Sequence, residues 1–241
     1  MNLASGYIAL FLALGLVSCS NFGPNADYYY PVEDLADGMV YAYESVGPLP
    51  QPPHYWFYRS IETLDSIVLT STYYSADFEP RQFVNERIVQ SGSIMRDLRL
   101  FTPTEGASDA VIANVLAPAL FSFEPPDSER ILVNTVSFRQ NPTQDSSALY
   151  TLTRNRQFVQ DTMFTLSGKP IPSQLWSVRE LTEQDSLGVL ALESRAIEIY
   201  AQGIGMVYRE RVFSDGSQEA YRLSGRFSMD SLTALRDGMG F

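Results

Sequence analysis

The sequence predicts a mainly β domain: a single antiparallel, strongly curved sheet, half-barrel or barrel-like, with short terminal helices. Three observations predict it. From Met39 onward, runs rich in aromatic and β-branched residues recur at regular spacing, separated by Gly, Pro and Asp turns. No long amphipathic helical pattern falls between them, which favours hairpins over parallel crossovers. No repeat period or low-complexity tract divides the chain.

The elements follow in order. "YYYPVEDLADG" suits a short helix, with Pro31 in its first turn and Gly38 at its end. "MVYAYESV" alternates as a strand and is stopped by "GPLPQPP", which holds too many prolines to join a ladder. "HYWFYRSIETL" and "SIVLTSTYYSA" are strands, and "HYWFYR" is apolar on both faces, so both should be covered. "RQFVNERIV", a turn at Ser91-Gly92-Ser93 and "IMRDLRLF" read as a hairpin. "VIANVLAPALFSF" and "RILVNTVSF" continue the series, and Ala148 to Leu166 is expected to turn near Arg154-Asn155-Arg156. "SQLWSVREL", "ALESRAIEIYA", "GIGMVYRERVF" and "EAYRLSGRF" close the sheet. "SMDSLTALRDG" reads as a helix capped by Ser228, with Gly238 at its end.

The last hairpin carries the one candidate contact site. A two-residue turn at Asp215-Gly216 pairs Tyr208 with Leu223 and Glu210 with Tyr221. That register puts Arg209, Arg211, Arg222 and Arg226 together on the side away from the core, with Arg209 across from Arg222. Such a pair needs a negative neighbour. One reading is an anion or partner contact; the plainer reading is neutralisation by Glu193 and Glu198 on a neighbouring strand. Gly203-x-Gly205 opens a strand rather than a helix, so a bend or bulge is expected there, not a nucleotide loop.

The N-terminus reads as an address. Tyr7 to Val17, "YIALFLALGLV", is apolar, uncharged and far short of the ~20 residues that span a bilayer. Leu16-Val17-Ser18-Cys19 follows it, with the chain's single cysteine. This resembles the lipobox of bacterial lipoproteins. The resemblance implies cleavage between Ser18 and Cys19, lipidation of the Cys19 thiol, and acylation of the new amino terminus. Ser20 after Cys19 implies the outer membrane by the enterobacterial sorting rule. The domain reading is then a signal peptide over 1–18, a lipidated tether over 19–27 and one antiparallel β domain over 28–241. "EIYAQGIGMVYRERV" and "YYYPVEDLADGMVYAYE" also resemble segments of LolA/LolB/LppX-type envelope lipoproteins. That resemblance implies an open half-barrel whose concave face holds acyl chains or another apolar segment.

The chemistry excludes more than it selects. The formal net charge of −11 argues against nucleic-acid binding. His54 is the one histidine, so no His/Cys metal cluster can form around it, and no Gly-x-Ser-x-Gly elbow accompanies it. The aromatics from Tyr28 to Tyr74, Tyr41 and Tyr43 among them, either line a groove or fill the sheet's core. The expectation is a membrane-anchored, non-enzymatic envelope protein without a cofactor, binding an apolar ligand, a lipid or another lipoprotein. The alternative is a structural or assembly subunit of an envelope complex.

Overall fold

Each run of apolar and aromatic residues from Met39 onward forms a strand, and the last strand returns to pair with the first. The computed structural model describes residues 22–102, 109–141, 147–185 and 188–239. Its strands are β1 (Met39–Ser45), β2 (His54–Glu62), β3 (Ile67–Tyr74), β4 (Pro80–Val89), β5 (Gly92–Thr102) and β6 (Asp109–Ser122). They continue as β7 (Ile131–Arg139), β8 (Leu149–Leu166), β9 (Lys169–Asp185), β10 (Val189–Ala201), β11 (Gly205–Phe213) and β12 (Gln218–Phe227). Every strand pairs antiparallel with its neighbours in sequence, and β1 pairs with β12, Tyr43 opposite Leu223. The result is a closed barrel.

The open half-barrel is therefore corrected, while the barrel-like reading stands. An open sheet would leave the backbone groups of β1 and β12 unpaired along two edges; closure pairs them. The expected turn at Arg154-Asn155-Arg156 is also absent, because β8 runs unbroken through it. Arg154 and Arg156 stand two apart on one face of β8 and point into a barrel interior that supplies them with carboxylates.

The last hairpin shows a one-residue slip from the expected register. Its loop has three residues, Ser214, Asp215 and Gly216, with Phe213 N donating to Ser217 O at 2.9 Å. Only Gly216 has positive φ, +83°, whereas a two-residue turn of the expected kind needs it at both central positions. The Asp215 carboxylate instead accepts from Ser217 N at 2.9 Å and from Ser217 Oγ at 2.6 Å. Arg209 consequently faces Tyr221 and Arg211 faces Glu219. The slip turns Arg209 and Arg211 to the interior, the consequence expected of a period-two strand.

One end of the barrel is closed by the chain's own N-terminal segment. Residues expected to be tether fold into it: Gly23 N donates to Gln90 O at 3.1 Å and Asn25 N to Phe123 O at 2.9 Å. Asn25 is 2% exposed. Its Nδ2 donates to Ser122 O at 2.9 Å, and its Oδ1 accepts from Gln174 Nε2 at 2.7 Å. In place of the expected helix over 28–38 stand two 3-10 turns, Ala26–Tyr28 and Val32–Leu35. Pro31, with no N–H to lose, caps the second, and Gly38 N donates to Leu35 O at 3.0 Å.

These turns drop Tyr29 and Tyr30 into the barrel end. Tyr29 packs on Phe121 with centroids 4.9 Å apart, and Tyr30 stacks on Tyr58 at 4.0 Å. Burying a large ring contributes about 1.5–3 kcal/mol, so this pair holds the segment in place. Gly205 makes room for it, since a Cβ there would lie 2.5 Å from the Tyr30 ring. Gly203 N donates to Asp27 O at 2.7 Å. The Gly-x-Gly pair thus serves the plug.

Two further apolar clusters complete the core. Val84, Met95, Leu98, Ala113, Leu120 and Val136 fill the barrel interior beside β4 to β7. Outside, the C-terminal helix α1 (Met229–Gly238) lays Leu232 on Val40, Ala42, Tyr55 and Phe78. Ser228 Oγ accepts from Ser231 N, the cap expected from sequence. α1 also supplies the outer cover that "HYWFYR" requires.

Asn25→Ala removes the shared partner of Ser122 O and Gln174 Nε2 and leaves a buried amide unpaired. We expect a loss of about 2 kcal/mol, read from the urea unfolding midpoint.

Candidate functional site: a charged cavity inside the barrel

The interior faces of the strands do not fill the barrel. A cavity of about 400 Å³ remains, lined by side chains of β1–β6, β8 and β10–β12 and by the N-terminal segment. Its floor is the plug, through Tyr29 and Tyr30, and it reaches the opposite rim at Tyr73, Arg211, Glu219 and Tyr221. These rim residues are half-buried and sit near the ends of their strands.

Four arginines converge there from two pairs of positions, Arg154 and Arg156 on β8, Arg209 and Arg211 on β11. They meet two buried carboxylates, Glu180 on β9 and Glu198 on β10, which are 5% and 1% exposed in their side chains. Glu198 takes Arg154 Nη2 at 2.6 Å and Arg156 Nε at 2.9 Å, and accepts from Tyr200 OH at 3.1 Å. Glu180 takes Arg154 Nε at 2.7 Å, Arg209 Nη2 at 2.8 Å and Arg211 Nη2 at 2.6 Å. Arg156 Nη1 also donates to Leu120 O, and Arg211 Nη1 reaches Glu219 at 3.2 Å.

Charge decides the protonation states. Burial would raise the Glu198 carboxyl, but Arg156, Arg154 and Arg209 overcome it and hold it well below the usual carboxylate range. Glu180 is lowered in the same way by Arg154, Arg209 and Arg211 against the opposing effect of burial. Glu86 behaves oppositely. Burial pushes its carboxyl up, although Ser93 Oγ and Tyr29 OH each donate to its Oε2 at 2.5 Å. Arg209 is pushed down by burial and by the neighbouring Arg154. Four guanidiniums, Arg154, Arg156, Arg209 and Arg211, thus share the cavity region with the carboxyls of Glu86, Glu180, Glu198 and Glu219, inside a protein of net charge −11.

The rim is aromatic. His54 stacks on Tyr43 at 5.2 Å and meets Tyr221 edge-on at 4.3 Å. Burial, then Arg209, pushes its imidazole pKa down to about 4, so it is neutral in ordinary conditions. Trp56 and Tyr73 lie 5.3 Å apart on the same wall. Tyr41 and Tyr43 face inward and donate to Ile204 O at 2.9 Å and Met206 O at 2.8 Å.

The four arginines singled out in the sequence are thus separated. Arg209 and Arg211 enter the cavity. Arg222 is exposed, its guanidinium 4.8 Å from the Phe164 ring and bonded to Thr165 O. Arg226 is exposed beside Tyr41, 5.7 Å from its ring. Of the two expected neutralising residues, Glu198 lies in the cluster, while Glu193 pairs with Arg179 on the outside at 2.9 Å. Ser18 and Cys19 lie outside the described residues. Arg154, Arg156, Glu180 and Glu86 are site residues that the sequence reading missed. Their signal was charge at period two inside otherwise strand-like segments, most clearly at Arg154/Arg156. Among the described residues, no group of three or more His, Cys, Asp or Glu is arranged to hold a metal ion.

No family model and no curated protein matches the chain. Two solved bacterial structures share its fold. One is a candidate lipoprotein of Parabacteroides distasonis, 11% identical, TM-score 0.55, covering 83% of this chain and 98% of that one. The other is a candidate exported protein of Bacteroides fragilis described as having a YmcC-like fold. It is 14% identical with a TM-score of 0.54, covering 83% of this chain and 99% of its own. At these identities the likeness is one of fold.

Glu198→Ala leaves Arg156 charged and buried without its partner, and should cost about 3–5 kcal/mol by chemical denaturation. Glu86 has the opposite sign. Its raised pKa means that the folded state favours the proton, so wild-type stability declines as pH rises through that raised value. Glu86→Gln keeps an acceptor for Tyr29 and Ser93 without the charge. Its unfolding midpoint should match wild type at pH 4 and equal or exceed it at pH 8.

Proposed function

We propose that this protein is a lipid-anchored, non-enzymatic envelope protein whose barrel is a ligand-binding module. The observation that carries the binding reading is the cavity, which reaches a rim opposite the N-terminal plug. A volume of about 400 Å³ falls within the roughly 300–1,000 Å³ range of small-molecule sites. The anchoring part rests on the lipobox-like Leu16-Val17-Ser18-Cys19 and agrees with the candidate lipoprotein among the fold's solved relatives.

The two parts fit geometrically. Phe22 packs edge-on against Phe123 at the plugged end, 5.7 Å between centroids. Three residues from Cys19 to Phe22 span at most about 11 Å. A lipid on Cys19 would seat the plugged end against the headgroups and turn the rim away from the membrane. An acyl chain is the less suitable occupant, because its methylenes would strip water from the cavity guanidiniums without replacing their hydrogen bonds.

The assembly reading keeps one supporting observation. The outer wall exposes Ile112, Leu116 and Ile131 at 64%, 63% and 54%. Apolar side chains of this size on β6 and β7 would suit a protein contact.

Native mass spectrometry of the intact protein, extracted from envelopes in non-ionic detergent, tests the reading. The expected spectrum carries both the acyl mass on Cys19 and a bound small molecule. Cys19→Ala should abolish the acyl mass and keep the bound molecule. A mutant still cleaved after Ser18 would overturn the anchor, and an empty wild-type barrel would overturn the binding module.

A further inference from the structure

We propose that the barrel cavity is a site for a small organic anion, its carboxylate or phosphate held by Arg209 and Arg211 and its carbon body against Trp56, Tyr73 and Tyr221. This rests on the binding-module reading and names the ligand class for it. The argument begins with hydrogen-bond inventory. Each guanidinium presents five N–H donors. Glu180 and Glu198 are shared among the arginines: Glu180 Oε1 accepts from Arg209 Nη2 and lies 2.7 Å from Arg154 Nε, whose N–H is not aimed at it, while Glu180 Oε2 accepts from Ser194 Oγ and lies 2.6 Å from Arg211 Nη2. Glu198 Oε2 serves Arg156 and Tyr200.

After these contacts, the Nε groups of Arg209 and Arg211 are buried without a hydrogen-bond partner. Arg209 Nε lies 3.8 Å from Glu198 Oε1, beyond bonding distance. A buried charged donor without an acceptor is costly, so Arg209 and Arg211 carry donor capacity that Glu180 and Glu219 leave unused. The wall carboxyls are engaged elsewhere: Glu219 lies 3.2 Å from Arg211 Nη1, and Glu198 holds Arg154 and Arg156. Glu86 is occupied by Tyr29 and Ser93 and held toward its neutral form by burial.

Position supports the same conclusion. Arg209 and Arg211 are two residues apart on one strand, so their stems rise side by side roughly 6.5–7 Å apart, a spacing that a two-oxygen group can bridge. Arg211 is 25% exposed in its side chain and lies at the rim, within reach of an entering solute. The aromatic wall supplies flat faces for the rest of the ligand. The overall acidity of the protein makes this inward-facing pair of guanidiniums selective: surface carboxylates repel stray anions, and a ligand that also fits the aromatic wall gains enough to stay.

The test uses the full chain in non-ionic detergent, with tryptophan fluorescence and thermal shift as readouts. The probes are glucuronate and glucose 6-phosphate against glucose, and dihexanoyl phosphatidate against dihexanoylglycerol. Each anion that binds should do so at least tenfold tighter than its uncharged counterpart, and sodium chloride should weaken it. Preference for the sugar anions would make the source a free solute; preference for phosphatidate would make it a lipid headgroup. Either supports the shared chemistry. Arg211→Gln should lower anion affinity tenfold or more. Arg211→Lys, which keeps the charge but not the planar fork, should fall between them with its melting temperature retained. Equal binding of charged and uncharged members, or unchanged affinity in both Arg211 variants, would overturn the anion claim and leave a binding barrel. Failure of every probe, with no ligand carried from the cell, would overturn both.

Discussion

Twelve strands closed into one barrel enclose more space than side chains alone fill, and the rest of the structure answers to that constraint. About eight strands give an interior just wide enough for side chains, while sixteen or more leave a channel. This barrel lies between and fills its volume in three ways. Its N-terminal segment plugs one end with Tyr29 and Tyr30. Beside β4 to β7, apolar side chains pack into a cluster of their own. The remaining space is bordered by long charged side chains, whose reach spans what leucine or valine cannot.

The charged layer decides what the cavity is. Burying four guanidiniums is unfavourable in itself, and two carboxylates offset it only by accepting from several arginines at once. Such a cluster has few alternative arrangements, because moving one arginine leaves a charge unpaired in a poorly solvated interior. The surface pair Arg179–Glu193 has good geometry but faces water, so the barrel's order does not depend on it. Plug and cavity wall also meet: Tyr29 rises from the plug to donate to Glu86, which lines the cavity.

The sequence made the architecture legible and the site only partly so. Strand alternation, the proline break at 47–53 and the Ser228 cap follow from local sequence signals and hold. Closure does not follow from periodicity, since pairing between β1 and β12 joins segments at opposite ends of the chain. Asp215-Gly216 misled because a three-residue loop uses the same glycine, and one slipped position inverts which arginines face inward. Arg154-Asn155-Arg156 misled because a polar triplet reads as a turn unless the interior itself is charged. Gly203-x-Gly205 opens β11, as its place before an alternating run suggests, but its service to Tyr30 depends on a residue far away in sequence. The role of residues 23–27 was hidden for the same reason: short polar stretches look like tether until their hydrogen bonds are known.

The central claim is that an ordered, water-poor charged cluster borders a cavity inside the barrel. Side-chain hydrogen exchange of ¹⁵N-arginine-labelled protein tests it most directly. Arg156 Nε donates to Glu198 at 2.9 Å with its side chain 8% exposed, whereas Arg236 on α1 is 46% exposed. The account predicts that Arg156 Nε–H exchanges slower than that of Arg236 by orders of magnitude. Equal exchange at the two sites would mean that water moves freely through the barrel and would contradict the account.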